Sequence, residues 1–397
     1  MPHRPSPPPN LPIWYPMGGW EGERAGAASR NSRKMNSAET PVSTFGRREL
    51  GFAERLVRSI HAGGPISLAN YMAQVNAHYY GTRNPLGTDG DFITAPEISQ
   101  MFGELIGLCL ADLWQRAGQA NAPYYVELGP GRGTLAADAL RAMAQARLAP
   151  QAHLVETSPA LRAHQSTAVA HAHFHDDVET LPTDRPLLVV ANEFFDALPI
   201  AQAVKAEDGW REVMVGLGGE GATLAPLTGE RRVDARVPEA VRHAPLGAVH
   251  ESCPVGATIM LTLARRIARQ GGAMILIDYG YEGPALGDTL QAVRAHRYAD
   301  PFKDIGDNDL TAHVDFTLLG NAARQEGLVV HGPVGQGAFL ERLGIGPRAQ
   351  TLARAQPERV TELETARQRL AGEKEMGRLF KVLGVTHPDW PWPEGFR

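Results

Sequence analysis

No apolar run in this chain reaches the ~18 residues of a membrane-spanning helix, which excludes insertion by an ordinary transmembrane helix. No long basic stripe interrupts a net charge of −5, so nucleic acid is not expected as a partner. Cysteine is scarce: Cys109 and Cys253 are the two present, which fits a reducing compartment. Cys109 falls on the apolar face of a predicted helix and reads as core. A convergent set of metal ligands is also missing. His171, His173 and His175 alternate and so face one side of a strand, but no cysteine or carboxylate set matches them, and no metal is expected. What is present is the composition of a soluble globular enzyme. Its 397 residues suit one large domain with insertions, or two domains.

The chain is organised around residues 124–140. An apolar run ends at Leu128, and Gly129, Gly131 and Gly133 follow at alternate positions. Thr134 can cap a helix whose apolar face includes Ala136, Leu140 and Met143. Strand, glycine turn and helix form the entry to a nucleotide-type site in a doubly wound sheet. Glycines there permit a tight turn and let a ligand touch bare backbone. Gly131 to Ala136 also fits the dinucleotide pattern G-x-G-x-x-A, so an NAD(P)-dependent oxidoreductase is a rival reading. Against it stands Glu127, two residues before Gly129, because a carboxylate beside the turn suits a cationic ligand and repels a pyrophosphate. The form Glu-x-Gly-x-Gly-x-Gly resembles the first motif of class I S-adenosylmethionine (SAM) methyltransferases, where the acid lies near the methionine amino group. Glu127, Gly129, Pro130, Gly131, Gly133 and Thr134 are therefore candidate cofactor residues.

The rest of the chain falls around that stretch. Residues 1–46 are proline-, glycine- and arginine-rich without periodicity and read as a disordered extension. They are acid-poor, as transit peptides are, though Met35 offers a later start. Residues 47–120 read as a helical segment with a cofactor-covering loop. Its helices are expected at 47–62, with Leu50, Ala53, Val57 and Ile60 on one face, and from 65 through Tyr71 and Val75. A loop is expected at 78–93. Thr94 and Glu97 then have capping-box spacing at the start of one long helix, with Pro96 in its first turn and an apolar stripe of Ile98, Phe102, Leu105, Cys109 and Leu113. Residues 121–199 read as the first half of the Rossmann-like sheet and 200–257 as an inserted β-rich subdomain, with a hairpin at Asp208-Gly209 and a polar surface excursion over 227–255. Residues 258–397 read as the second half, with a helix over 258–270 and a long substrate-side loop over 281–315. Helices are expected on both faces of the sheet.

Candidate site residues gather at the carboxyl ends of the predicted strands. Glu156 ends strand two, where an acid can bind both ribose hydroxyls. Asp177, next to Asp176, follows strand three, where SAM enzymes often hold an acid near the adenine amino group. The fourth strand, 186–191, ends in Asn192-Glu193-Phe194-Phe195-Asp196. Its amide, two carboxylates and two aromatic rings exceed what a helix cap requires. The rings could wall a cation. Asp278 ends strand five. His313 and Asp315 alternate in the long polar segment and are read either as catalytic or as bracing.

The ordered set of motifs resembles the MidA-like family of SAM-dependent methyltransferases, which includes the mitochondrial complex I assembly-factor protein-arginine methyltransferase. The resemblance runs from about Ile60 to Val385. It rests on Gly64-Pro-Ile-Ser67, residues 90–100, Glu127 to Thr134, Asn192 to Pro199, Ile277 to Tyr281 and Leu310 to Phe316. Ala77 departs from it, standing where a glycine is expected before the tyrosine pair. The resemblance implies SAM as methyl donor and an arginine of a respiratory complex I core subunit as acceptor, with a role in complex assembly. It implies a compartment that is the bacterial cytoplasm or, in a eukaryote, the mitochondrial matrix, and it leaves a homodimer open. Thr94, Pro96, Glu97 and Asn192 join the cofactor set. A guanidinium needs carboxylates to orient it. Glu193 and Asp196 are the candidate fork, with Asp278 and His313 as further candidate catalytic residues. A SAM-binding assembly chaperone without turnover is the remaining alternative.

Overall fold

The computed structural model describes residues 50–82, 94–118, 121–219, 223–294 and 297–397. The expected disordered extension and residues 83–93 of the expected loop, with the Gly90 to Ile93 part of its motif, lie outside them.

The chain enters through α1 (Phe52–Gly63), a two-residue strand β1 (Ile66–Ser67) and α2 (Leu68–Thr82). Gly64, at φ 85°, ends α1 by donating its N–H to Ile60 O. Leu56 and Ile60 are the buried residues of α1, so its apolar face is rotated from the expected one. The α2 helix runs on through His78 to Thr82, where a loop was expected, because Tyr79 is completely buried and extends the apolar stripe of Tyr71, Met72 and Val75. The long helix expected from Thr94 is two helices, α3 (Ala95–Ile98) and α4 (Gln100–Arg116). Ser99 breaks it by adopting an extended backbone and accepting the Met101 N–H, which makes it the cap of α4.

The central sheet follows: β2 (Tyr124–Leu128), α5 (Thr134–Gln145), β3 (Gln151–Val155), α6 (Pro159–Ala168), β4 (His173–His175) and β5 (Leu187–Asn192). The insertion then forms β6 (Ala201–Ala206), β7 (Gly209–Gly218), β8 (Thr223–Arg232) and β9 (Val249–Ser252). The hairpin at Asp208-Gly209 is present, with Ala206 opposite Gly209. The supposed surface excursion over 227–255 instead holds the second half of β8 and all of β9. Polar outward-facing residues on β8 hid it, because that strand is half solvated. In this sheet β1 pairs with β7, tying the N-terminal segment to the insertion.

The chain returns through α7 (Pro254–Gln270) and β10 (Gly272–Tyr281). The long loop predicted next carries a three-stranded sheet of β11 (Gln291–Arg294), β12 (Arg297–Ala299) and β13 (Asp309–Thr311), and β14 (Val314–Asp315) pairs with β10. Helix α8 (Phe316–Gln325), strand β15 (Val329–Gly335), helices α9 (Gln336–Arg342), α10 (Ile345–Ala355), α11 (Val360–Ala371) and α12 (Met376–Leu379), and strand β16 (Phe380–Thr386) complete the molecule.

The main sheet has the order β15-β16-β10-β5-β2-β3-β4, with β10, β5, β2, β3 and β4 parallel. Alternate residues of its central strands enter two separate cores, one on each face. Tyr125, Leu188, Val190, Ile275 and Ile277 pack on the side of α4, α5 and α9 to α11. Val126, Leu128, Val189, Met274 and Leu276 pack on the side of α7 and α8. Helices on both faces explain why β5 reads as apolar throughout. A third core joins α1, α2, β7 and the 290–312 region through Leu56, Tyr71, Val215, Phe302 and Leu310. Strand order reverses between β2 and β5, which opens a crevice at their carboxyl ends.

Candidate active site

A cleft of about 1670 Å³ opens at that switch point. Its donor half is built on the β2–α5 turn. Gly129, Gly131 and Gly133 have φ of 56°, 55° and 85°, a left-handed region costly for other residues. A Cβ on Gly129 would lie 2.9 Å from the Phe194 ring, and one on Gly133 would lie 3.2 Å from Ala168 Cβ. Gly133 does not line the cleft; it lets α5 start close against α6 and is itself the N-cap of α5.

Thr134, expected as that cap, is the first helical residue, and its Oγ1 donates to Glu97 Oε1 at 2.5 Å. Glu97 therefore does not close a capping box with Thr94, whose side chain makes no cap bond. The bond instead draws α3 over the start of α5. Gly107 lets the following helix, α4, pack close against α5, since a Cβ there would stand 2.5 Å from Ala139 O. Of the candidate cofactor residues, Thr94, Pro96, Glu97, Glu127, Gly129, Pro130, Gly131, Thr134, Glu156 and Asn192 line the cleft.

Glu127 is buried, and desolvation raises its pKa to about 8. Tyr125, two residues earlier on the same strand face, donates its hydroxyl to Glu127 Oε2 at 2.5 Å and orients it. Glu156 is held by the Ser158 N–H at 2.8 Å and by Gln165 Nε2 at 3.2 Å, and burial pushes its pKa up. Asp177 lies apart from the cleft, where its side chain caps a short 3-10 helix by accepting the Glu179 N–H.

The other half of the cleft lies beyond the end of β5. Glu193 has φ 50°, a conformation that costs a non-glycine residue on the order of 1–3 kcal/mol. Its Oε1 accepts from Ala95 N at 3.3 Å and Asn192 Nδ2 at 3.2 Å. Burial and nearby Asp196 raise its pKa to about 7. Asp196 is 6% exposed and lines the cleft, and its Oδ1 is buried without a hydrogen-bond partner. Its pKa is also raised, by desolvation. Tyr279 hydrogen bonds to Asp196, and Gln291 Nε2 donates to the Tyr279 hydroxyl at 3.3 Å. Tyr80 donates to Asp309 Oδ2 at 2.9 Å, and both face the same space. Asn76 fastens this wall by donating to Ala197 O and Leu310 O at 2.9 and 2.8 Å.

Two residues expected to be catalytic are not brought into the cleft. Asp278 is 2% exposed; it accepts the backbone N–H of Phe195 and Asp196 on Oδ2 and that of Tyr279 on Oδ1. It shapes the turn that presents Glu193 and Asp196. Burial, Asp196 and Glu193 push its pKa well above the carboxylate range. His313 lies by a separate small pocket with its ring edge-on to Tyr279, and burial lowers its pKa. Asp315 caps α8 by accepting from Thr317 and Leu318. Phe194 lines the cleft, whereas Phe195 packs beneath it in the core.

Asn76, Tyr80, Tyr125 and Gln291 went unseen in the sequence, and Asp309 was read only as one of the polar groups of the long substrate-side loop. Tyr125 could have been found from its i, i+2 spacing to Glu127. The others come from segments that only the tertiary fold places at β5. Among the described residues no group of three or more histidine, cysteine or acidic side chains is placed to hold a metal ion, and no helix is long and apolar enough to cross a membrane.

The cleft suits a donor with a cationic centre and an adenosine. The glycine turn leaves bare backbone, Glu156 lines the cleft at the end of the next strand, and among the described residues Asn192 Oδ1 and Arg132 Nε are buried without partners beside the turn.

Comparison with known proteins agrees. A family model described as S-adenosyl-L-methionine-dependent methyltransferase matches residues 105–334. A Drosophila melanogaster protein named protein arginine methyltransferase NDUFAF7 homolog, mitochondrial, is 35% identical over 381 residues, covering 84% of each chain. The Danio rerio protein arginine methyltransferase NDUFAF7, mitochondrial, is 34% identical over 378 residues, covering 84% of this chain and 86% of its own. A crystal structure from Burkholderia thailandensis, bound to S-adenosyl-homocysteine, superposes with a TM-score of 0.76 at 29% identity, covering 87% of this chain and 93% of its own.

Proposed function

We propose that this chain, which belongs to the family of S-adenosyl-L-methionine-dependent methyltransferases, N-methylates an arginine side chain of a protein, a core subunit of respiratory complex I, in support of that complex's assembly. The work is done in the compartment where the complex is built, the bacterial cytoplasm or the mitochondrial matrix. The observation that carries the acceptor chemistry is the buried, unpartnered Asp196 Oδ1 facing the cleft beside Glu193. Two carboxylates that form no ion pair among the described residues complement a guanidinium, which stays charged at neutral pH and presents its donors as a planar fork.

The residues divide the work. The glycine turn, Glu127, Glu156 and Asn192 hold the donor. When bound, SAM supplies a methyl group activated on a sulfonium. Glu193 and Asp196 orient the acceptor nitrogen for in-line attack, where positioning and exclusion of water are the main contributions. Tyr279 and Gln291 fix Asp196, and Tyr80 and Asp309 close the far wall. Glu193, with a pKa of about 7, is suited to take up the proton that the methylated nitrogen releases.

The test compares respiratory-complex subunits from cells with and without the gene by mass spectrometry. A methylated arginine that is unmodified only in the deletion strain supports the proposal. An unchanged methylarginine profile refutes it.

A further inference from the structure

Beyond the glycine turn three cations line the cleft; Arg297 and Lys374 are exposed, and the half-buried Arg369 is explained by neither the glycine turn nor the acceptor carboxylates. Arg369 lies on α11, is only partly exposed and lines the cleft. Two residues earlier on the same helix, Arg367 is paired with Glu341 and Glu364. Among the described residues Arg369 makes no hydrogen bond or ion pair of its own. Its position follows from packing: α11 rests on α3. That short helix is in turn fastened to the donor turn by Glu97 and Thr134, and to Glu193 by the Ala95 N–H. Arg369 therefore stands beside the end of β5. The adenosine end lies farther along the sheet, at Glu156 after β3.

We propose that Arg369 binds the carboxylate of the methionine part of the methyl donor. Charge decides the assignment. The donor carries a sulfonium, an ammonium and one carboxylate, and an arginine acceptor is a cation. The carboxylate is thus the one anion that this reactant pair brings into the cleft. A guanidinium placed there for the acceptor would repel it. Glu193 and Glu375 are near enough to act on Arg369 electrostatically, but neither lies within ion-pair distance, so its five donors are left for an incoming oxyanion. The inference rests on the donor and holds whatever the acceptor is.

The test is calorimetric titration of the full chain with S-adenosylhomocysteine and with 5′-methylthioadenosine, which keeps the adenosine and thioether but lacks the amino-acid end. In Arg369→Ala, affinity for S-adenosylhomocysteine is expected to fall about tenfold or more. Affinity for methylthioadenosine should stay within about twofold, which also shows that the adenosine site is folded. Arg369→Lys should recover only part of the loss, because an ammonium cannot reproduce the planar fork. Equal loss of both ligands would make Arg369 a packing residue and overturn the proposal. Unchanged affinity for S-adenosylhomocysteine would overturn it too. So would a selective loss in Arg132→Ala with none in Arg369→Ala, which would move the anchor to the glycine turn.

Discussion

Replacing Glu193 with Gln separates its chemical role from a structural one. Gln keeps the size of the side chain and its acceptor oxygen for the Ala95 N–H, which lies 3.3 Å from Oε1. It removes the negative charge. A hydrogen bond to a charged partner contributes roughly 1.5–3 kcal/mol, so losing it should slow methylation of an arginine acceptor by about tenfold to over a hundredfold. Donor affinity should change much less, because the glycine turn and Glu156 carry it.

Stability should move the other way. The Glu193 pKa is raised from about 4.5 to about 7, so the folded state prefers the protonated acid. That preference is fully present below the unfolded pKa and is lost as pH rises through about 7. At pH 8 the wild-type protein therefore holds a half-buried charge that Gln does not, and the variant should melt at the same temperature or higher. Glu193→Gly should also relieve the left-handed backbone at φ 50°. Single-turnover methylation beside thermal melting is the assay. If the variant melts lower and keeps its activity per folded molecule, Glu193 is only a brace for α3, and the acceptor fork lies elsewhere.

Three further outcomes follow from the same geometry. Acceptor kcat/KM should rise with pH and level off above about 7, because below that value a proton competes with the guanidinium for Glu193; Glu193→Gln should lose this limb of the profile. Gly131→Val should abolish SAM binding in a calorimetric titration while the protein stays folded. A β-branched residue at φ 55° is strained by roughly 1–2 kcal/mol, less than the ~5–15 kcal/mol that holds a domain together. Deleting residues 1–46 should leave both melting temperature and SAM affinity unchanged, since that stretch has no core-forming pattern; loss of either would show that it packs on the domain.

The donor half of the site was legible in the sequence because it is local. Glu127, the three glycines and Thr134 fall within eight residues, and Glu156 ends the next strand. Strand periodicity and glycine spacing are short-range signals, and they located the parallel sheet. The other half of the cleft, the proposed acceptor side, was legible only where it is also local, at Glu193 to Asp196. Its remaining walls come from Tyr80 on α2, Tyr279 on β10, Gln291 on β11 and Asp309 on β13. No sequence spacing relates those residues. They meet because the third core packs α2 against the 290–312 region. The small sheet there was read as loop because its strands are three or four residues long and partly polar. Thr94 and Glu97 show the opposite failure. Their spacing satisfied a capping rule, but Ser99 started the real helix and left Glu97 for Thr134.

Asp278 and Asp196 show why residue type and strand end do not suffice to assign a role. Both are buried acids near the carboxyl ends of neighbouring strands, and both have raised pKa values. The difference lies in what their oxygens already do. Asp278 is committed to three backbone N–H groups, so its contacts are those of a turn-former. Asp196 keeps Oδ1 buried and unpaired at the cleft wall. An unpaired buried polar group costs on the order of 1–3 kcal/mol in the empty protein. Fold stability alone would favour replacing Asp196 with an apolar residue. Its presence is accounted for when a cation supplies the missing bond, and that same bond would then draw the acceptor into line with the donor. The turn made by Asp278 and the left-handed backbone of Glu193 have the same effect, since both bring an acid to the cleft wall.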